Sequence, residues 1–291
     1  MKPAPFSYFA PRSLHEAVGL LVEHGDAAKV LAGGQSLVPM MAFRLAMPDV
    51  LVDLGGVGEL EHSRVEGDTL VLGAMTRHRA VQDMGWLRTR CPLIVEGVEL
   101  IGHPAIRNRG TVGGSLAHAD PAAEWPAILL ALDGEVDAVG PNGNRTIRAA
   151  DLFQTYFTTA LAPDEILTEV RLPLPDGAPT GSAFVEMARR HGDFAVAGVG
   201  TQISLHPNGT IVDARLALIG VADRPVRAGS AEAALRGHGP TEEVFAEAAS
   251  VAIGEIEPSS DLHGSSDYRR HVAGVLVRRA LTIAARRAAA A

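Results

Sequence analysis

Two short segments constrain this 291-residue chain more than any other feature. The first is Val30-Leu31-Ala32-Gly33-Gly34-Gln35-Ser36-Leu37, a short apolar run, a glycine pair, and then an apolar stretch of helical character. The second, Arg109-Gly110-Thr111-Val112-Gly113-Gly114-Ser115-Leu116-Ala117-His118-Ala119-Asp120-Pro121, has the same ingredients, with a hydroxyl on each side of the pair and Pro121 to open a helix downstream. Paired glycines let backbone N–H groups come close to a ligand. A helix N-terminus directly after such a turn adds partial positive charge, so each segment reads as a seat for an anion. Ser36 can donate its hydroxyl to a phosphate oxygen, and Asp120 and Glu124 stand where they can accept from a ribose or an adenine edge. Two seats in one chain suit a ligand with two phosphates, a dinucleotide. The plainer reading, two turns and nothing more, stays open at this level. Neither segment carries the Gly-Lys-Ser/Thr of a P-loop or the Rossmann glycine fingerprint.

Composition limits the remaining choices. A net charge of −8 argues against broad binding to nucleic acid or to anionic membranes, both of which need a cationic face. Hydrophobic residues at 47% and charged residues at 21% are those of a globular protein. Cys91 is the single cysteine, which fits a reducing compartment. It also means the chain cannot by itself ligate an iron–sulfur cluster, which takes about four thiolates. No apolar run approaches the roughly 20 residues of a membrane helix, and residues 1–9 lack the apolar core of a signal peptide, so a cytoplasmic location is expected.

Periodicity and turn residues divide the chain into three expected units. Residues 1–55 read as a small α/β unit: a helix Leu14 to Glu23 capped by Ser13, a strand Lys29 to Ala32, a helix Leu37 to Leu45, and a strand Val50 to Leu54. Residues 56–175 follow with a strand Thr69 to Leu72, a helix to Met84 capped by Thr76, and a helix Pro92 to Ile101. A glycine-punctuated loop Gly102 to Ser115 comes next, then a helix Pro121 to Leu132, a hairpin at Asn142-Gly143, and a strand Glu165 to Leu172. Pro173 to Pro179 reads as a linker. Residues 176–291 change to antiparallel strands, Phe184 to Ala188, Val196 to Leu205 and Ile211 to Ile219, and then to helices at Ala231 to Leu235, Thr241 to Ile253 and Tyr268 to Ala284.

Taken together, Ala32-Gly33-Gly34-Gln35-Ser36 and Thr111-Val112-Gly113-Gly114-Ser115 resemble the paired FAD-binding motifs in the medium subunit of the carbon monoxide dehydrogenase / xanthine dehydrogenase (molybdenum hydroxylase) family. The likeness runs the length of the chain, through Ile106-Arg107-Asn108-Arg109-Gly110, Glu165-Ile166-Leu167 and Arg189-Arg190-His191-Gly192-Asp193-Phe194-Ala195. The resemblance implies an α+β chain with the two-subdomain FAD-binding fold of the vanillyl-alcohol oxidase (PCMH) type, followed by an antiparallel sheet packed on helices. It implies an electron-transfer subunit, working with a small iron–sulfur subunit and a large molybdopterin subunit in a dimer of heterotrimers. Substrate, carbon monoxide or an N-heteroaromatic or purine-type compound, would be oxidised in the large subunit. Electrons would pass through the clusters to FAD and on to an external acceptor.

By position, the resemblance puts Ala32 to Ser36 around the pyrophosphate, with Val30, Leu31 and Leu37 beside it. Thr111, Gly113, Gly114 and Ser115 would complete the grip, with Ile101 and Gly102 nearby. Asp120 and Glu124 would reach the ribose or adenine side, Leu167 the adenine half, and Phe194 the isoalloxazine ring. His118 would bond the flavin's phosphate or ring, or serve as a structural loop residue. Gln35 stands where the carbon monoxide oxidisers carry histidine, and this form looks more like relatives acting on N-heteroaromatic compounds. Arg107 and Arg109 read as phosphate neutralisers or as solvated loop residues, and Arg189-Arg190-His191 as a docking cluster for the iron–sulfur subunit or as a surface turn. His103 and His118 lack the spacing of a zinc site. Two other readings remain: a self-contained FAD oxidoreductase, and a non-catalytic nucleotide-binding module.

Overall fold

In the computed structural model, described over residues 2–175 and 178–291, the chain opens with strand β1 (Ser7–Phe9), helix α1 (Leu14–His24), strand β2 (Ala28–Leu31), helix α2 (Leu37–Ala42) and strand β3 (Val50–Asp53). Ser13 caps α1 as expected by accepting from Glu16 N at 3.2 Å, and the Glu16 carboxylate accepts from Arg12 N at 2.8 Å, close to a capping box. The strands form one parallel sheet in the order β1-β3-β2. Parallel strands need crossovers, which α1 and α2 supply. Strand β1 was not expected. It is short, and its partner lies more than forty residues downstream, so no local pattern marks it.

A five-stranded antiparallel sheet follows, β4-β5-β10-β6-β7, built from β4 (Ser63–Glu66), β5 (Thr69–Gly73), β6 (Glu135–Gly140), β7 (Gly143–Arg148) and β10 (Ile166–Pro173). The helices between β5 and β6 are α3 (His78–Gln82), α4 (Leu87–Arg90), α5 (Pro92–Leu100), α6 (Pro104–Arg107), α7 (Val112–His118) and α8 (Glu124–Ala131). After β7 come α9 (Ala149–Leu152) and a small hairpin of β8 (Phe153–Thr155) and β9 (Thr158–Thr159).

Three sequence expectations need correction in this region. Thr76 does not cap a helix: its hydroxyl donates to the His62 carbonyl at 2.8 Å, and α3 begins at His78. The segment Gly102 to Ser115 is not one loop, because Pro104 opens α6 and Thr111 caps α7 by accepting from Gly114 N at 3.2 Å. The glycine pair Gly113-Gly114 therefore lies inside the first turn of a helix, which Ala119 ends in the left-handed region at φ 52°. The downstream helix begins at Glu124, three residues after Pro121.

The last part holds an antiparallel sheet β11-β12-β13-β14, from β11 (Thr180–Met187), β12 (Ala197–Leu205), β13 (Ile211–Ile219) and β14 (Val226–Arg227), with helices α10 (Gly229–Leu235), α11 (Glu242–Ala252) and α12 (Ser266–Ala289). Alternation divides the faces of β11. Ala183 joins a core with α12, whereas Phe184 packs with α5 and α8, and Ser182 accepts from Leu93 N at 3.3 Å. Of the expected linker Pro173 to Pro179, Pro173 is the last residue of β10, and residues 176–177 lie outside the described part of the chain.

Candidate functional site

The C-terminal ends of β1, β3 and β2 meet in a cleft of about 650 Å³. Leu31 to Gln35 form one wall, Arg109 and Arg77 come from the second half of the site, and Tyr8, Arg12, Asp53 and the turn Gly55-Gly56 close the rest. The cleft is cationic at its rim and holds one acid. Asp53 accepts from the Tyr8 hydroxyl at 2.5 Å and from Gly55 N at 2.8 Å.

The two glycine segments touch. A β-carbon on Gly33 would stand 2.4 Å from the Arg109 carbonyl oxygen and 2.7 Å from Gly110 Cα, so no larger residue fits there. Gly34 holds φ +73°, a conformation that L side chains rarely adopt. Gln35 donates its amide to the Gly33 carbonyl at 3.0 Å and so braces its own loop. Ser36 opens α2 without using its hydroxyl as a cap, and half-buried Leu37 starts that helix. On the other side, a β-carbon on Gly114 would reach Ala32 Cβ at 3.2 Å, and one on Gly113 would reach Ala74 Cβ at 2.5 Å. Helix α7 thus packs directly behind the first loop, with Ser115 half-buried in it and Thr111 buried at its start.

Sequence reasoning missed the residue that holds this junction. Buried His78 takes an indole N–H from Trp125 on Nδ1 at 3.0 Å, which leaves the ring proton on Nε2. Its backbone N–H donates to the Gly110 carbonyl at 3.1 Å, and a β-carbon on Gly110 would lie 2.8 Å from Nε2. Burial, aided by the charges of Arg107 and Arg77, holds this imidazole down at about 3, so it is neutral. No local motif marks it. The two arginines of the second segment also part company. Arg107 is buried and neither neutralises phosphate nor points to solvent. It donates to Gln82 Oε1 and to the carbonyls of Glu99, Ile101 and Gly102 at 2.9–3.2 Å. Arg109 is exposed on the cleft.

The other candidate residues lie around this centre. Val30 pairs with Val52 inside the parallel sheet. His118 lies tilted against Phe157, ring centroids 5.1 Å apart, and burial lowers its pKa against the pull of Asp120. Asp120 accepts from Ala122 N at 2.9 Å and is itself raised by burial. Glu124, 6% exposed at the start of α8, is pushed well above the carboxylate range by burial and then by the charge of Glu186. Glu186 on β11, absent from the sequence reading, rises to about 7 by burial, and its Oε2 has no partner among the described residues. Ile101 and Gly102 end α5, half-buried, and Gly192 packs against Gly102 and His103. That contact brings the loop of Phe194, 61% exposed, to the same edge. Leu167 sits apart from the cleft lining, buried on β10 opposite Ala138. Cys91 is buried, its thiol pushed up to about 12.

Comparison with known proteins agrees with this arrangement. Residues 4–175 match the family described as the FAD binding domain in molybdopterin dehydrogenase, and residues 182–284 the CO dehydrogenase flavoprotein C-terminal domain. The chain is 40% identical to the alpha subunit of the 6-hydroxypseudooxynicotine dehydrogenase complex of Paenarthrobacter nicotinovorans, covering 99% of this chain and 97% of the relative. It is also 40% identical to the carbon monoxide dehydrogenase medium chain of Hydrogenophaga pseudoflava, covering 98% of each. A solved structure of carbon monoxide dehydrogenase from Hydrogenophaga pseudoflava superposes with a TM-score of 0.95 at 42% identity over 99% of both chains. With the double-glycine segments in contact and both halves of the chain matched, the protein belongs to the FAD-binding medium-subunit family of the carbon monoxide dehydrogenase / xanthine dehydrogenase type molybdenum hydroxylases.

Proposed function

We propose that the two glycine segments hold the diphosphate of FAD from both sides, and that the residues around them orient the rest of the cofactor. The observation that carries this reading is the contact of Gly33 with Arg109 and Gly110, which makes one cradle from two distant stretches of sequence. The residues present fit such a group. Glycines 33, 113 and 114 let the chain close on itself where β-carbons would strike neighbouring protein atoms, and three arginines, 12, 77 and 109, face the cleft with no ion-paired carboxylate among the described residues. When bound, FAD carries electrons between the iron–sulfur clusters of a partner subunit and an external acceptor.

The chain's own contribution is placement. Val30 to Leu37 and Thr111 to Ser115 fix the diphosphate with Ile101 and Gly102 beside them, Asp120 and Glu124 reach the ribose or adenine side, and His118 bonds the phosphate or the ring. Phe194 shields the ring from solvent on the loop seated at Gly102. Residues 1–55, 56–175 and 176–291 act as three units, with the cofactor gripped by the first two. The working assembly is a cytoplasmic dimer of heterotrimers with a large molybdopterin subunit and a small iron–sulfur subunit, for which Arg189-Arg190-His191 offers a docking cluster. Its substrate is carbon monoxide or an N-heteroaromatic compound, and Gln35 favours the second.

The test is spectroscopic. The purified complex should show flavin absorbance and release FAD, and should bleach with an N-heteroaromatic substrate, whereas the isolated chain should not bleach. Bleaching of the isolated chain by an organic substrate would instead establish a self-contained oxidoreductase. Full flavin content in Gly33→Arg and Gly114→Arg would contradict the assigned cradle.

A further inference from the structure

We propose that Arg269 is a positioning residue for the bound cofactor: from the first turn of α12 it fixes both the return of the Phe194 loop and the wall of Asp120 to Glu124. The proposal rests on the FAD reading, which places those two segments against the cofactor. Neither segment is near Arg269 in sequence, and backbone hydrogen bonds bring the three together.

The cost of burying this guanidinium supplies the first argument. Arg269 is 7% exposed, on a helix whose start is capped by Ser265 accepting from Tyr268 N at 3.2 Å. A cation in the first turn opposes the helix dipole, and a buried one loses its water. Charge-assisted bonds offset both losses. Arg269 Nη1 donates to the Val196 carbonyl at 2.7 Å and to the Gly220 carbonyl at 3.0 Å, and Nη2 donates to Asp261 Oδ2 at 2.7 Å. Asp261 is held in turn by His263 N at 2.8 Å and Gly264 N at 3.1 Å on its other oxygen. A residue needed only to pack α12 on the sheet would be apolar, as Val272, Ala273 and Leu276 are.

The two carbonyls supply the second argument. Val196 closes the loop after β11, its N–H donating to the Met187 carbonyl at 2.7 Å. Gly192, at φ +89°, seats the same loop against Gly102 and His103. Phe194 is therefore carried between two fixed points, and Arg269 secures the second of them. Gly220 follows β13 at φ +74°, and a β-carbon there would lie 2.9 Å from the carbonyl oxygens of both Ala195 and Val196. Its N–H donates to the Pro121 carbonyl at 2.8 Å, within the segment that carries Asp120 and Glu124. One guanidinium thus joins the return of one loop to the strand end that reaches the opposite wall. Val196, Gly220 and Asp261 are not themselves candidate cofactor contacts, so Arg269 acts through the backbone that carries those contacts.

Amide hydrogen exchange on the assembled complex, native and stripped of flavin, reads residues 188–196 and 119–124 directly. Visible circular dichroism of the native complex reads the surroundings of the flavin. Arg269→Met should speed exchange in both segments and both forms by about tenfold or more, and should alter the flavin dichroism. Arg287→Met is the control. Arg287 also ties α12 to its neighbours, donating to the Ser182 carbonyl and to Glu96 Oε1 at 2.6 Å each, so its loss should lower stability and leave both readouts at wild type. Where Arg269→Met fails to assemble, Asp261→Asn, which frees the guanidinium from an exposed partner, should produce the same changes at smaller size. Wild-type exchange in either segment, or faster exchange with an unmoved flavin spectrum, would overturn the proposal, as would equal changes in Arg287→Met. Flavin absent from the native complex would sink the FAD reading alone, and exchange would still decide whether Arg269 holds both segments.

Discussion

Gly33 and Arg109 lie so close that a single added methyl group at residue 33 would overlap the Arg109 carbonyl oxygen. The neighbouring atoms are backbone, which cannot rotate away as a side chain would. Gly33→Ala should therefore push the two segments apart, cost about 1–3 kcal/mol of stability, and lower flavin content. Thermal unfolding and the flavin-to-protein absorbance ratio read the two effects separately. Wild-type values of both would mean that the segments do not meet as described.

The buried carboxyl groups Glu124 and Glu186 should make stability fall as pH rises. Folded Glu186 keeps its proton to about 7, whereas its ordinary value is 4.5. Between those values the folded state binds more protons than the unfolded state, so unfolding becomes easier with increasing pH. Glu124, raised for the same reason and by Glu186 itself, extends the trend. Glu186→Gln should remove its own share of this slope and gain up to about 3 kcal/mol over wild type at pH 8, with little difference at pH 4. Urea midpoints for both proteins across that range decide it; parallel curves would contradict the burial of an unpartnered acid.

Much of this was legible in the chain because it is local. Ser13 and Thr241 each declare a helix start from residues within a few positions. The glycine pairs were visible too, but their settings were not alike. Gly33-Gly34 form a turn, whereas Gly113-Gly114 lie within a helix whose cap, Thr111, looks in sequence like one more loop hydroxyl. What escaped reading depends on distant partners. Strand β1 has three residues and one neighbour, β3. His78, Asp53 and Glu186 carry no motif and become meaningful only when Trp125, Tyr8 and Glu124 arrive beside them. Arg107 and Arg109 are two residues apart and take opposite environments, a difference that spacing cannot express.

His78 should govern the acid limb of stability. Its imidazole is held down at about 3 when folded and returns to about 6.5 when free. As pH falls through that window the unfolded chain takes up a proton that the folded chain refuses, so stability is lost. His78→Gln retains an acceptor for Trp125 but cannot titrate. It should be less stable than wild type at pH 7, and the gap should narrow as the pH approaches 4. A gap independent of pH, measured by urea unfolding, would show that the imidazole is not neutral in the fold.

Arg107 and Arg109 should respond oppositely to truncation. Arg107→Met would leave the carbonyls of Glu99, Ile101 and Gly102 and the amide of Gln82 without their donor in a buried setting. Unsatisfied buried groups of this kind carry a large penalty, so a loss of about 3 kcal/mol is expected. Arg109→Ala removes an exposed side chain whose backbone carbonyl still meets Arg77 and Gly33. Its effect on stability should stay within about 0.5 kcal/mol, while flavin affinity falls. Chemical denaturation sorts the pair by stability and ligand titration sorts it by binding. If Arg109→Ala unfolded the protein while Arg107→Met left it intact, the buried and exposed roles would have to be exchanged.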